Sequence, residues 1–222
     1  RGGFSEFLPL QGAGGPGRSG SGDPAGRIDR RALAFRRYGH GGRRRGAAVA
    51  RACGDKPALA ESLVRLGYAA IESDRTADAF EYYLEGLALA RQMDNQFLIT
   101  SCLNGLGEVH SLQDRFELAE AAFLEALAVS RGTKTDAPAV LGNLARNAIA
   151  LRAESKAVRY LREIVAISEE RYENYVVVVL LWNCAGLSAL REEWAQALRW
   201  SGAATAFEEK HDLFDAVDAR FH

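Results

Sequence analysis

The stretch GAGGPGRS, Gly12 to Ser19, has the spacing of a phosphate-binding loop, with Arg18 standing where such a loop carries lysine. That chemistry needs a buried strand before the loop and a helix after it, whose first N–H groups turn onto the phosphates. The residues that follow, GSGDPAG, cannot begin a helix, and no neighbouring run reads as a strand ending in a magnesium-binding acid. A glycine-rich segment matches this pattern by chance, so no nucleotide is expected here. Metal chemistry fares no better. The four histidines, His40, His110, His211 and His222, show neither HxxxH nor HExxH spacing, and a metal site needs several ligands converging. His110 lies three residues past Gly107, on the side facing the next helix, and reads as an interior or semi-exposed residue.

Nucleophilic and acid–base chemistry are equally unsupported. Cys53, Cys102 and Cys184 form no CxxC pair. Cys102 and Cys184 fall at apolar positions of periodic segments, where a thiol packs as a small hydrophobe. The pairs Glu169-Glu170, Glu192-Glu193 and Glu208-Glu209 are adjacent in sequence. Neighbours on a helix point about 100 degrees apart and cannot share a proton, so these read as solvated helix faces. The expectation is a protein that is not an enzyme, with no cofactor and no metal.

The elements that would position any site emerge from the composition. Of 22 glycines, most fall in the first 51 residues, together with Pro9, Pro16 and Pro24. That part carries a net charge of about +8 and the remainder about −9. Residues 1–44 have too little apolar surface to offset ordering entropy and read as a disordered tail or linker. An odd number of cysteines and the lack of a secretory signal point to a reducing, cytoplasmic setting. The longest apolar run, YVVVVLLW from Tyr175 to Trp182, is far shorter than the roughly 20 residues that span a bilayer.

Residues 45–222 repeat. When TADAFEYYLEGLALA, FELAEAAFLEALAVS, ESKAVRYLREIVAIS and WAQALRWSGAATAFE are aligned, Ala79, Ala119, Ala157 and Ala197 recur at intervals of 40, 38 and 40. Four residues after each comes Tyr83, Phe123, Leu161 or Ser201, and twelve before stands Gly67, Gly107, Ala145 or Ala185. Leu63, Leu103, Leu141 and Leu181 precede those small residues by four. Spacings of three, four and seven put these residues on one helical stripe, so each unit is two amphipathic helices joined by a short turn: SDR, QDR, RAES and REE. The small residues are expected where helices packed at roughly 8 to 10 Å approach most closely. The β-branched run Val176 to Val179 falls in register as a first helix and is read as helical. The fold class predicted is all-α: a right-handed α-solenoid of about four helix pairs, with repeats at 57–96, 97–136, 137–175 and 176–215.

This pattern resembles the tetratricopeptide repeat (TPR) in an elongated form. LGEVHSLQDRFELAEAAFLEALAVSR resembles the repeats at the C-terminal end of bacterial signal-transducing ATPases and large transcriptional regulators, and ALRWSGAATAFEE resembles their last repeat. Here the tryptophan of the repeat's early helix and its closing proline are missing, and Ala145 and Ala185 replace the usual glycine.

The resemblance implies that the first helix of each pair lines a concave groove, containing Arg65, Tyr68, Asn104, Glu108, Asn143, Arg146, Trp182 and Asn183. Asparagine can donate to and accept from a peptide backbone. Asn143 and Asn183 occupy equivalent positions, and bridging between neighbouring helices is the alternative reading. Chaperone-tail TPR domains clamp a terminal carboxylate with groove lysines, and the first helices here show none.

The partner expected is therefore protein or peptide, including an upstream domain of the same full-length protein, with no membrane. A small-molecule inducer is the alternative. Nucleic acid is left to the Arg-rich tail, because the acidic folded part would be repelled by phosphate. The C-terminus, DAVDARFH, reads as the start of a further element cut short, with fraying over 211–222.

Overall fold

In this computed structural model the described residues are 42, 44–131, 137–168 and 174–211. GAGGPGRS, the tail to residue 41, His40, Glu169-Glu170, His222 and DAVDARFH lie outside them. Helices alone make up the regular structure of the described residues: α1 (44–53), α2 (Lys56–Glu72), α3 (Thr76–Gln92), α4 (Gln96–Leu112), α5 (Phe116–Ser130), α6 (Ala137–Ala150), α7 (Glu154–Ser168), α8 (Asn174–Leu190) and α9 (Trp194–His211). They fall into two compact units, the first ending at Gln113 and the second beginning at Asp114.

The repeat is written into the backbone as well as the sequence. Asp74, Asp114, Arg152 and Glu192 take left-handed φ values of 57°, 56°, 56° and 62°, and they recur at the same 40, 38 and 40 as the alanines. Each sits in the turn inside a helix pair. After Asp74, Arg75 N–H returns 2.8 Å to the Ala70 carbonyl; after Arg152, Ala153 N–H returns 2.8 Å to Ala148; after Glu192, Glu193 N–H returns 2.9 Å to Ser188. These bonds satisfy carbonyls that the helix end leaves open, as a Schellman closure does. Asp tolerates the left-handed region better than Arg or Glu, so the first two turns suit their residues better than the last two.

Between pairs the same closure recurs, Asp55 N–H returning 2.9 Å to the Ala50 carbonyl and Asn95 N–H 3.0 Å to Ala90, with a side-chain cap added. Gly54 and Asp94, forty residues apart, are left-handed at 69° and 50°, and Asp55 and Asn95 follow them as N-caps. Their side-chain oxygens accept from Ala58 N–H and Leu98 N–H, both at 3.1 Å. Each such cap is worth about 1 kcal/mol.

In the first unit α1 takes the place of the second helix of a preceding pair. Its Ala47 and Ala50 are buried against Leu59, Leu63 and Leu66 of α2. Its arginines reach α3, Arg51 meeting Glu85 at 2.6 Å and Arg44 meeting Asp78 at 3.9 Å. The second unit repeats the device between α5 and α7, with Lys156–Glu120 at 2.8 Å and Arg131–Glu163 at 2.6 Å. These pairs are exposed or half-exposed and contribute little individually; the apolar stripes hold the stacks. Val176 to Val179 lie within α8, as their register predicted.

Candidate functional site

In the first unit, α2 carries Arg65, Tyr68 and Glu72 at spacings of three and four, and α4 carries Asn104 and Glu108 four apart. Each set therefore shares one helix face. Between the two helices stands Tyr83 of α3, fully buried. A Cβ built on Gly67 would lie 2.5 Å from the Tyr83 Cζ. One on Gly105 would lie 2.5 Å from both Cε atoms and closer still to Cζ. The ring is thus wedged between two glycines on different helices. Gly67 was expected to admit a close helix backbone; instead it admits an aromatic ring, because the void left by a missing Cβ on each side is the thickness a flat ring can fill. Tyr68 meets Tyr83 edge-on, ring centroids 5.8 Å apart and planes at 85°, a favoured aromatic geometry.

The polar groups around this ring are unevenly satisfied. Asn104 is buried, and its Nδ2 donates to Glu108 Oε1 at 3.2 Å. Tyr83 Oη is buried and has no hydrogen-bond partner among the described residues. Burial, then the charges of Tyr68, Glu108, Cys102 and Glu72, hold the Tyr83 phenol well above its ordinary range, so it stays a proton donor. The equivalent residue of the next pair is Phe123, also fully buried and without a hydroxyl. The equivalent place forty residues on is thus filled without an oxygen.

In the second unit, Asn143 and Arg146 are half-buried on α6, and Trp182 and Asn183 lie on α8. Trp182 Nε1 donates to Glu208 Oε1 of α9 at 2.9 Å, so its polar edge is occupied internally and Glu208 is no freely solvated carboxylate. Asn183 Nδ2 donates back to the Val179 carbonyl of its own helix at 2.8 Å, whereas its buried Oδ1 has no partner among the described residues. It therefore makes no bridge between helices through Nδ2. Asn147, which periodicity did not single out, does bridge: its Nδ2 donates to the Phe116 carbonyl of α5 at 3.0 Å. The eight expected residues fall four in each unit.

Other expectations find their places. His110 is half-buried and meets Phe80 of the preceding helix α3, centroids 5.7 Å apart. Cys102 is buried with Sγ 3.0 Å from the position of a Cβ on Gly86, and burial pushes its thiol up to about 12. Burial raises Cys184 as well; both thiols are the reverse of activated nucleophiles. Lysine is not absent from the first helices, since Lys56 opens α2; its Nζ donates to Gln92 Oε1 at 3.1 Å. The helix begins one residue earlier than the repeat boundary because Asp55 caps it and Pro57 fits its first turn. Among the described residues no three His, Cys, Asp or Glu side chains gather as metal ligands, and no helix is long and apolar enough to cross a membrane.

No family model and no curated protein matches the sequence. Solved structures do. The nearly identical TPR-like repeats of a candidate kinesin light chain from Podosopora anserina match with a TM-score of 0.54 at 15% identity, over 85% of this chain and 98% of that one. A point variant of the same repeats matches with a TM-score of 0.56 at 14% identity, over 82% and 92%. At such identity the likeness speaks for architecture alone, and with the recurring helix pairs it establishes that the chain has an all-α solenoid fold of TPR-like repeats.

Proposed function

We propose that the chain is a non-catalytic module that binds protein or peptide along the first helices of its pairs, and that it serves as the sensor or regulatory region of a bacterial transcriptional regulator or signalling ATPase in the cytoplasm. The observation that supports the binding reading is Tyr68 on α2 and the bonded pair Asn104 and Glu108 on α4, the first helices of two successive pairs. Asn104 is buried in α4, as are Thr100 and Ser101, and its Nδ2 is bonded to Glu108. Aromatic and amide groups on successive first helices suit recognition of an extended backbone. The regulatory context rests on the resemblance of LGEVHSLQDRFELAEAAFLEALAVSR to the repeats of those proteins.

The test is an array of end-capped random peptides probed with the full chain, followed by hydrogen exchange with the best binder. Protection concentrated on α2 and α4 is expected. Protection confined to α3 and α5, or no binding at all, would sink the reading. A second reading, a receptor for a small inducer, draws on Asn183, whose buried Oδ1 has no partner among the described residues. It predicts stabilisation by about 2.7 kcal/mol with a metabolite at 100 times its Kd, and a flat thermal-shift screen would remove it.

A further inference from the structure

One face of α9 is taken up by its own pair. Ala204 is buried, Glu208 Oε1 accepts from Trp182 Nε1 of α8 at 2.9 Å, and His211 Nδ1 lies 3.2 Å from Asn174 Nδ2 of α8. The other face runs through Ala195, Leu198, Gly202, Thr205 and Glu209 at alternating spacings of three and four, and all five are exposed. Leu198, at 73%, is the most exposed large apolar side chain among the described residues, and a Cβ added at Gly202 would meet nothing within 4 Å. In the other pairs this face is a stacking face. The positions equivalent to Leu198 are Phe80, Glu120 and Val158, each half-buried. Phe80 is met by His110 of α4, ring centroids 5.7 Å apart, and Glu120 by Lys156 of α7 at 2.8 Å. On α9 the same face stands apolar and open, the mark of a contact surface.

We propose that this face pairs with the same face of a second copy of the chain, the two α9 helices running antiparallel and crossing at Gly202. Leu198, four residues before the crossing, then packs on the partner's Ala206, four residues after it. A large side chain lies against a small one, and the bare backbone at Gly202 lets the helices approach closely. Charge fixes the direction. Arg199, Glu209 and Lys210 are exposed. Glu209 falls opposite the partner's Ala195, one turn from the partner's Arg199, and the two-fold symmetry makes this pairing twice. Lys210 falls at the acidic start of the partner's helix, beside the partner's Glu192 and Glu193. A parallel pair would instead set Glu209 against Glu209 and Lys210 against Lys210, and like charges in contact are costly. No residue of the expected groove takes part. One helix on its copy is a small interface, below the about 1,200 Å² that marks weak association, so the dimer should be populated at roughly 100 μM and mostly dissociated at roughly 1 μM.

The experiment is sedimentation velocity of the full chain across that concentration range, with and without Leu198→Asp, joined to disulfide trapping in a Cys53→Ser background. The expected result is a monomer that becomes a dimer on concentration, and a dissociation constant roughly tenfold or more higher for Leu198→Asp, which sets a charge in the apolar contact. Circular dichroism of that variant should be unchanged, since Leu198 is exposed. At an antiparallel crossing only the central position meets its own copy. Gly202→Cys should therefore form a disulfide-linked dimer, whereas Ala195→Cys should not, because two copies of that position lie about 20 Å apart along the helices, beyond the about 7 Å that a disulfide allows. A monomer at every concentration, or a dimer that Leu198→Asp leaves unmoved, overturns the proposal. Cross-linking at both positions or at neither overturns the antiparallel crossing. A monomer in which Leu198→Asp lowers the urea midpoint overturns the second copy as occupant and assigns the face to residues 212–222 of the same chain.

Discussion

Replacing Gly105 with alanine sets two effects of known sign against each other. In a helix interior the change removes backbone freedom from the unfolded chain and favours folding by about 1 kcal/mol. Against that, the new methyl would sit within 2.5 Å of three carbons of the Tyr83 ring, and Gly67 holds the other face, where a Cβ would likewise fall 2.5 Å from Cζ. The ring has nowhere to retreat, so a backbone must move. Overpacking of this kind costs about 1–3 kcal/mol and more where neither side yields. With both flanks blocked the steric term wins, and Gly105→Ala should destabilise by about 1–2 kcal/mol net. The assay is urea unfolding followed by circular dichroism, with two companions. In a Tyr83→Leu background, which copies the third pair's Leu161, the clash is absent and Gly105→Ala should become neutral or favourable, a coupling of at least about 1 kcal/mol. At Gly202 of α9, where an added Cβ meets nothing within 4 Å, the same change should stabilise by up to about 1 kcal/mol. A Gly105→Ala protein as stable as the parent, or a penalty that persists without the Tyr83 ring, would refute the wedge.

Two further outcomes follow from the turns and the buried acids. Glu192 holds φ at 62°, so Glu192→Gly should raise stability by about 0.5–1 kcal/mol, whereas Glu193→Gly, one residue on, should lower it; equal effects in thermal melts would count against backbone strain in that turn. Alkaline stability is the other. Cys102 is held up to about 12 and Tyr83 well above 10, both chiefly by burial. As pH rises past 9 the unfolded chain releases the Cys102 proton first, then that of Tyr83, so the unfolded state gains and folding stability falls. Each group contributes at most about 1.4 kcal/mol per pH unit. The loss attributed to Cys102 ends near its folded value, and below pH 9 neither group matters. Urea midpoints at pH 8 and pH 10.5 should therefore drop less for Cys102→Ala and for Tyr83→Phe than for the parent, and parallel drops would disprove the linkage.

How much of this could be read beforehand depends on whether the information is periodic. Thr76, Phe116, Glu154 and Trp194 open their helices at the residues where the aligned segments begin, because a stripe at spacings of three and four and a repeat near forty locate helices and turns together. All four turns, SDR, QDR, RAES and REE, emerge from the alignment, whereas the left-handed position that they share at Asp74, Asp114, Arg152 and Glu192 does not, since Arg and Glu carry no preference for it. Pairings were not legible. Trp182 with Glu208, Asn147 with Phe116 and Asn183 with its own Val179 each depend on rotamers and local offsets that a repeat alignment averages away. Lys56 entered α2 because its Asp55 cap lies one residue outside the alignment.

The same averaging explains why the candidate site's central atom stood outside the expected groove. Periodicity assigns Tyr83 to the interior of a second helix, and for its ring that is right. Yet a repeat specifies side chains only to the extent that its units are interchangeable. Ala79, Ala119 and Ala157 are fully buried at the same position in three pairs, and packing explains all of them at once. The plug position is not interchangeable: it runs from Tyr83 through Phe123 and Leu161 to Ser201, and the glycine pair that admits a ring was found in the first unit around Tyr83. A core selected for density alone would fill that slot with phenylalanine, which it does forty residues later. The Tyr83 hydroxyl, which has no partner among the described residues, is therefore a feature of this one pair that the packing of the repeat does not explain.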